Sequence, residues 1–352
     1  VDAGGGFKVG PQSSGARPGP ACYGHGGKEP TVTDANLALG RLDADNFLGG
    51  SMALDIEAAE KVIDDLAERL GIDRFEAAEG VLTIMNSNMA NAIRAKTVQK
   101  GIDPRGFSLV AFGGAGPLHG AEVADMMGIP EVVVPPHPGI TSAAGLLTTD
   151  LKYDQIKTEF QVKGSVDLAK LNRDFDALSK ELLDQFASDG LTQDDVQQLR
   201  FGDLRYVGQG YELRVAIPAE NLDEAALEQV WLAFHEIHEQ EYGHFFKDSP
   251  IEIVNIRLTG VGAMPKIANP PVPTGETFEA ARAKTAISVF RVDGTLQRLE
   301  TDFYIRAKLP LDIPFYGPAV VLQKDTTTVI PPGWTAVLDK GSNLILTANK
   351  KG

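Results

Sequence analysis

The stretch Phe107–Pro117, FSLVAFGGAGP, runs straight into Leu118–Gly128 and then Val132–Val134. It constrains the fold more than any other part of the chain. Leu109, Val110, Ala111 and Phe112 read as a buried strand; Gly113, Gly114, Ala115 and Gly116 read as a turn; a helix follows. Pro117 suits the first helical position, because its fixed φ fits and its missing N–H has no acceptor there. Gly128 suits the stop, where a left-handed residue ends many helices. A second apolar strand, Val132–Val134, is closed by Pro135 and Pro136. Strand, helix and strand in so few residues predict a parallel βαβ unit. Its turn lies at the carboxyl end of a strand and the amino end of a helix. Open sheets bind ligands there, and free N–H groups with the helix dipole favour an anion such as phosphate. A tight turn with nothing bound is the other reading, since short glycine patterns are weak signals.

The remaining composition narrows the classes. With 352 residues, 43% hydrophobic and 23% charged, the chain has ample core material for more than one domain. A net charge of -15 argues against nucleic acid or an anionic membrane as partner. The single cysteine, Cys22, excludes an internal disulfide and a cysteine metal cage, and fits a reducing, cytoplasmic compartment. There is no apolar run long enough to span a bilayer. The opening VDAGGGFKVG is no signal peptide and lacks a Met, so it reads as the middle of a domain.

Residues 1–50 are dense in Gly and Pro, as in functional or disordered loops. TVTDANLALG within them reads as a short capped helix. Asp34 is either its cap, accepting from first-turn N–H groups, or a residue that is catalytic or holds a metal. His25, between glycines, is either a solvent-exposed loop residue or an acid–base group. Asp55–Leu70 is an amphipathic helix with Ile56, Ala59, Ile63, Leu66 and Leu70 on its stripe. Phe75–Lys100 is a longer one with Ala78, Leu82, Met85, Met89 and Ile93 inward. Asn86, Ser87, Asn88 and Asn91 sit mid-helix, where such residues are unfavourable. Asn86 and Asn88 flank the Met85 stripe. They either hydrogen-bond a purine or ribose or satisfy neighbouring loop backbone. His137 lies at a strand end and either faces a ligand or shapes the loop.

The fold class is α/β, read as three segments. Residues 1–154 carry the βαβ unit. Residues 155–264 form an α+β module with a helix on Leu168, Leu171, Phe175, Leu178, Leu182 and Phe186. Strands Arg200–Val207 and Tyr211–Ile217 follow as a hairpin, then a helix over Leu222–Tyr242 and a strand over Ile251–Leu258. His235 and His238 have the spacing of a metal pair, but a helix-face pair without a third ligand is favoured, so no metal site is assigned. Pro265–Pro273 reads as a linker, and 265–352 as a β-rich domain with hairpin turns at Asp293-Gly294 and Pro331-Pro332-Gly333.

Taken together, GPQSSGARPGPACYGHGG at 10–27, PTVTDANLALGRL at 30–42, NMANAIR at 88–94, FSLVAFGGAGPLHG at 107–120, PGITSAAGLL at 138–147, RYVGQGYEL at 205–213 and YGHFF at 242–246 resemble the hydantoinase A/5-oxoprolinase family. Its members include nucleotide-binding subunits of acetone carboxylases. The resemblance implies an actin-like (RNase H-like) ATPase lobe followed by the α+β module and the β-rich domain. It implies ATP and Mg2+ as cofactors, with Gly113, Gly114, Ala115 and Gly116 on the nucleotide and the Asn86–Asn88 helix lining the adenine. Asp34 and His25 remain the catalytic candidates from the residues themselves. The implied chemistry is phosphorylation of a cyclic-amide carbonyl before ring opening. A ketone carboxylase subunit and a non-catalytic scaffold are the alternatives. The implied partners are a hydantoinase B-like subunit, a small-molecule substrate and an amino-terminal half of the same enzyme carrying the earlier phosphate loops.

Overall fold

The computed structural model describes residue 1, residues 4–265 and residues 273–349. The expected linker lies, over 266–272, outside the described residues. Two compact units form: Val1–Ala144 with Asn269–Gly352, and Gly145–Ala268. In chain order the helices are α1 (Val32–Ala38), α2 (Ile56–Leu70), α3 (Arg74–Lys96), α4 (Gly116–Met127), α5 (Thr141–Leu146), α6 (Leu168–Ser188), α7 (Glu224–Tyr242) and α8 (Phe278–Ala281). The strands are β1 (Leu109–Val110), β2 (Glu131–Val134), β3 (Leu151–Val162), β4 (Val196–Tyr206), β5 (Leu213–Ile217), β6 (Ile251–Gly262), β7 (Arg282–Val292), β8 (Thr295–Ile305), β9 (Phe315–Tyr316), β10 (Ala319–Leu322), β11 (Thr327–Ile330), β12 (Trp334–Leu338) and β13 (Leu344–Ala348).

The first unit holds two sheets, ordered β1-β2-β13-β12-β9 and β11-β10-β8-β7. β1 and β2 are parallel, Leu109 opposite Val132, so the predicted βαβ unit is present. β1 ends before Phe112, which is 50% exposed, although the Ala111 N–H still donates to the Val133 carbonyl at 2.9 Å. Gly128 closes α4 in the left-handed region, φ 69°, and its N–H reaches back to the last carbonyls of the helix. Pro117 sits one residue inside the start, since α4 begins at Gly116.

The sheet that carries the glycine turn is completed from far along the chain. β13 pairs antiparallel with β2, Leu344 opposite Val134, and β12 pairs with β13. The residues expected to form a separate β-rich domain therefore differ in placement: they join residues 1–144 in one unit. The physical reason is burial. Two short parallel strands cannot cover Val132 and Val134 alone. Ala336, Leu338, Leu344 and Leu346 close over the same core, and all are at 0% exposure. α4 is seated in that core through Gly120, where a Cβ would lie 3.0 Å from the Ala111 Cβ and 3.2 Å from Val132 Cγ1. The indole N–H of Trp334 donates to Asp125 at 3.0 Å and ties α4 to β12.

The helices α1, α2 and α3 share a second core of Ala35, Leu39, Ile63, Leu66, Ala78 and Leu82. Asp55 and Asp73 cap α2 and α3 by accepting from first-turn N–H groups. The stripe of α3 is as expected at Ala78 and Leu82, which are buried, and departs from the expectation further along the helix. Met85, Met89 and Ile93 are half-buried, while Ala77, Glu79, Asn86 and Ala90 are buried. Buried polar residues displace the expected apolar ones because they meet charged partners on neighbouring elements, described below.

The second unit is one antiparallel sheet, β3-β6-β4-β5, covered by helices. Leu171, Phe175, Leu178, Leu182 and Phe186 of α6 are all buried, as the periodicity requires. Gly260 and Gly262 of β6 leave room for the Phe186 ring, since a Cβ at either would strike it. β3 has no counterpart in the sequence reading: its half-buried face runs Leu151, Tyr153, Gln155, Lys157 and Glu159 and presents no apolar run.

Candidate functional site

Three loops meet at the carboxyl ends of β1 and β2. The first is the glycine turn itself. Gly113 adopts φ 85°, a conformation in which any side chain is strained, and its N–H donates to the Pro138 carbonyl at 2.7 Å. The second loop, 136–140, is held in turn by the third, the β10–β11 turn at 323–326. Gln323 Nε2 donates to the Pro136 carbonyl at 2.6 Å, and the Gly139 N–H donates to Asp325 Oδ2 at 2.8 Å. Thr326 Oγ1 donates to the Gly114 carbonyl at 2.9 Å. Behind them Arg306 is buried at 1% exposure and donates to Gln323 Oε1, the Val134 carbonyl and the Ser342 carbonyl. Burial pushes its pKa down to about 10. Sequence reading missed Thr326, Asp325, Gln323 and Arg306, because they reach the turn only through tertiary pairing; Thr326 and Gly114 are 212 positions apart.

The turn is open outward. Gly114 and Ala115 are exposed, and a Cβ at Gly113 would meet nothing within 4 Å. Gly116 begins α4, whose first N–H groups have no intrahelical acceptor. The arrangement offers a backbone-lined surface at the positive end of a helix of 12 residues, suited to a phosphate group.

The other candidates are placed differently. Asp34 is at 0% exposure. Its carboxylate accepts from the Ala21 N–H (3.2 Å), the Cys22 N–H (2.9 Å), the Thr31 N–H (3.0 Å) and Thr31 Oγ1 (2.7 Å). It staples the glycine-rich front loop to α1, but it is not the cap expected from the sequence: Thr31 is the N-cap, its Oγ1 accepting from the Asp34 N–H, and Asp34 completes the capping box from the third helical position. Cys22 beside it is buried, and burial followed by the Asp34 charge pushes its thiol pKa up, so it is no thiolate nucleophile. His25 is exposed, with Nδ1 3.5 Å from the Ala16 carbonyl. His137 is half-buried, and its carbonyl accepts from Thr141 Oγ1 at 2.9 Å. Asn88 is exposed and donates to the Val9 carbonyl at 3.4 Å. It lines a cavity of about 600 Å³ with Lys8, Tyr23, Thr33, Arg69 and Met85.

Asn86 points the other way, into the core, and does not line an open pocket. Its Nδ2 donates to Glu122 Oε2 at 2.6 Å, and its Oδ1 lies 2.8 Å from His119 Nδ1. Arg41 bridges Glu122 Oε1 and Glu79 Oε2, each at 2.8 Å, and donates from Nε to the Val289 carbonyl at 3.1 Å. The Arg41 guanidinium also lies 4.7 Å from the Phe290 ring centre. Burial raises the Glu79 pKa and lowers that of His119, each disfavouring the charged form. Among the described residues no group of three or more His, Cys, Asp or Glu can hold a metal ion.

Comparison with known proteins bears on what such a site does. Residues 1–155 match the family described as hydantoinase/oxoprolinase, and residues 161–348 match the hydantoinase/oxoprolinase C-terminal domain. The chain belongs to this family. An uncharacterised protein of Methanocaldococcus jannaschii is 39% identical over 97% of the chain and 48% of its own length. Caprolactamase subunit alpha of Pseudomonas jessenii is 33% identical over 97% of the chain and 49% of its own length. The solved nucleotide-free acetone carboxylase superposes with a TM-score of 0.83 at 27% identity, covering 97% of the chain and 49% of that one. The chain thus spans about half the length of these relatives. The mixed α/β architecture is theirs, as the sequence reading expected.

Two other blocks shared with the hydantoinase/oxoprolinase family come together in the second unit. Tyr206 accepts from the Phe246 N–H at 2.9 Å, and its hydroxyl lies 2.7 Å from His235 Nδ1. His238, at 0% exposure, contacts the His244 carbonyl through Nδ1 at 2.7 Å. The histidines at 235 and 238 are thus held by protein partners, the helix-face reading of their spacing. No helix among the described residues is long and apolar enough to cross a membrane.

Proposed function

We propose that this chain is part of an ATP-dependent enzyme that phosphorylates the carbonyl oxygen of a cyclic amide before water opens the ring. The observation that carries the reading is the outward-facing Gly113–Gly116 turn, held by the 136–140 and 323–326 loops at the carboxyl ends of two parallel strands. ATP-dependent relatives such as the Pseudomonas jessenii caprolactamase support it. On this reading the turn grips the nucleotide phosphates by backbone N–H groups, and the Gly113 conformation keeps the surface free of side chains. Mg2+, where the nucleotide carries it, would neutralise phosphate charge. Asn88 is the amide that faces open space, and Asn86 acts from behind. An amide carbonyl is a poor electrophile, and converting its oxygen to a phosphate supplies the leaving group. Positioning and charge stabilisation then account for most of the catalysis. His25, exposed on the front loop, is the acid–base candidate that remains accessible, and Asp34 shapes that loop. A hydantoinase B-like partner completes the substrate site.

The superposition on acetone carboxylase favours a second reading, phosphorylation of a ketone as its enol before carboxylation. Phosphate release by the intact protein with its partner, on adding lactams, hydantoins, or ketones with bicarbonate, separates the two. Release with none of them removes both.

A further inference from the structure

Polar side chains on α3 and α4, buried except for the half-buried Glu122, form a chain of hydrogen bonds whose direction is fixed by chemistry. Glu122, ion-paired with Arg41, presents acceptors only. The Asn86 group facing it at 2.6 Å must therefore be the NH₂ end. That turns the Asn86 carbonyl oxygen toward His119, 2.8 Å away, and an oxygen there requires a proton on Nδ1. His119 is buried at 4% exposure and its pKa is lowered by that burial, so the ring is neutral and carries the proton on Nδ1 alone.

We propose that Arg41, Glu122 and Asn86 are positioning residues. They fix His119 as the Nδ1–H tautomer and thereby lock the first turns of α4, and the glycine turn that precedes it, against α3. The geometry suits the task. His119 follows Gly116 by three residues, about 4.5 Å along the helix axis, and Glu122 lies on the next turn. On the opposite side Gly120 is wedged between Ala111 and Val132, so α4 has a rigid seat on the sheet and a polar clasp on α3. Glu79 shares Arg41 and faces the same cluster. The functional arm rests on the reading that the turn binds nucleotide; the tautomer does not.

The test reads both separately. In the ¹⁵N-labelled protein, long-range ¹H–¹⁵N spectra distinguish the two neutral tautomers, with His119→Gln giving the assignment. Wild-type His119 is expected as Nδ1–H. In Glu122→Gln, Arg41 holds the amide oxygen, so the NH₂ faces Asn86. Asn86 then reverses, and the ring is driven toward Nε2–H. An Nε2–H ring in the wild type, or an unchanged tautomer in Glu122→Gln, overturns the assignment. The wild-type spectrum decides that step even if the variant fails to fold. For the functional arm, calorimetry with ATP on the folded Glu122→Gln protein is expected to show affinity weakened by about tenfold. Unaltered ATP affinity beside an inverted tautomer overturns the positioning role. A wild-type protein that binds no ATP overturns the nucleotide reading and this arm with it, and leaves the tautomer to the spectra.

Discussion

The sheet under the glycine turn and the sheet of the second unit are built on opposite plans. The second is continuous in sequence: β3, β4, β5 and β6 and their helices all lie within Gly145–Ala268, and every strand pair is antiparallel. Its core is aliphatic and aromatic, with Leu171, Phe175, Leu182, Phe186 and Phe234 at 0% exposure. The sheet under the turn borrows strands from the end of the chain, and beside it lies a cluster of buried Arg41, Glu79, Asn86 and His119 with the half-buried Glu122. The contrast teaches where specificity resides. Apolar burial stabilises the second unit. The first unit relies on a few polar contacts that hold three loops in one place.

Substitution at the centre of the polar cluster is the severest way to break that contrast. Arg41→Met strands Glu79 and Glu122 together without a cation, and is expected to cost about 3–5 kcal/mol, read from denaturant unfolding of the first unit. A loss under about 1 kcal/mol would show that the cluster is hydrated and not buried. In the second unit Leu182→Ala is expected to cost about 3 kcal/mol, by lost burial and the cavity left beside Gly260. Smaller again is the pH effect. The His119 pKa is lowered in the folded state, so its contribution is fully present above about 6.5 and is lost as pH falls through the folded value. Glu79 runs the other way, because its raised pKa favours the fold at low pH and loses that as pH rises. His119→Gln should therefore remove the loss of stability just below pH 6.5, while an unchanged acid limb would place that titration elsewhere. The least effect is expected at the exposed Lys163–Glu228 pair of the second unit, where Lys163→Ala should change stability by less than about 1 kcal/mol.

The same contrast explains what the sequence made legible. The α6 stripe was readable because one face of a helix against one sheet leaves a 3.6-residue apolar period, and all five expected core residues from Leu171 to Phe186 are buried. The βαβ unit was readable from Gly113, Gly128 and the flanking valines, whose constraints are local. The role of Asn86 was not. Its position mid-helix marked it as unusual, but its partners Glu122 and His119 lie 36 and 33 positions away, and amide direction is set by those partners alone. The clamp by Thr326 and Gln323 was likewise invisible, since polar residues in a hairpin turn carry no period. The joining of β13 to β2 escaped for a related reason: short apolar strands name no partner, and only the surface they must cover selects one.

The central claim is that the Gly113–Gly116 turn grips a nucleotide. Calorimetric titration of the intact protein with ATP, wild type against Gly114→Val, tests it most directly. Gly114 is exposed and its Cβ would meet only the Asp325 carbonyl at 3.8 Å, so the variant should keep its unfolding transition. The account predicts measurable ATP binding that Gly114→Val abolishes; equal affinity in the two proteins would contradict it.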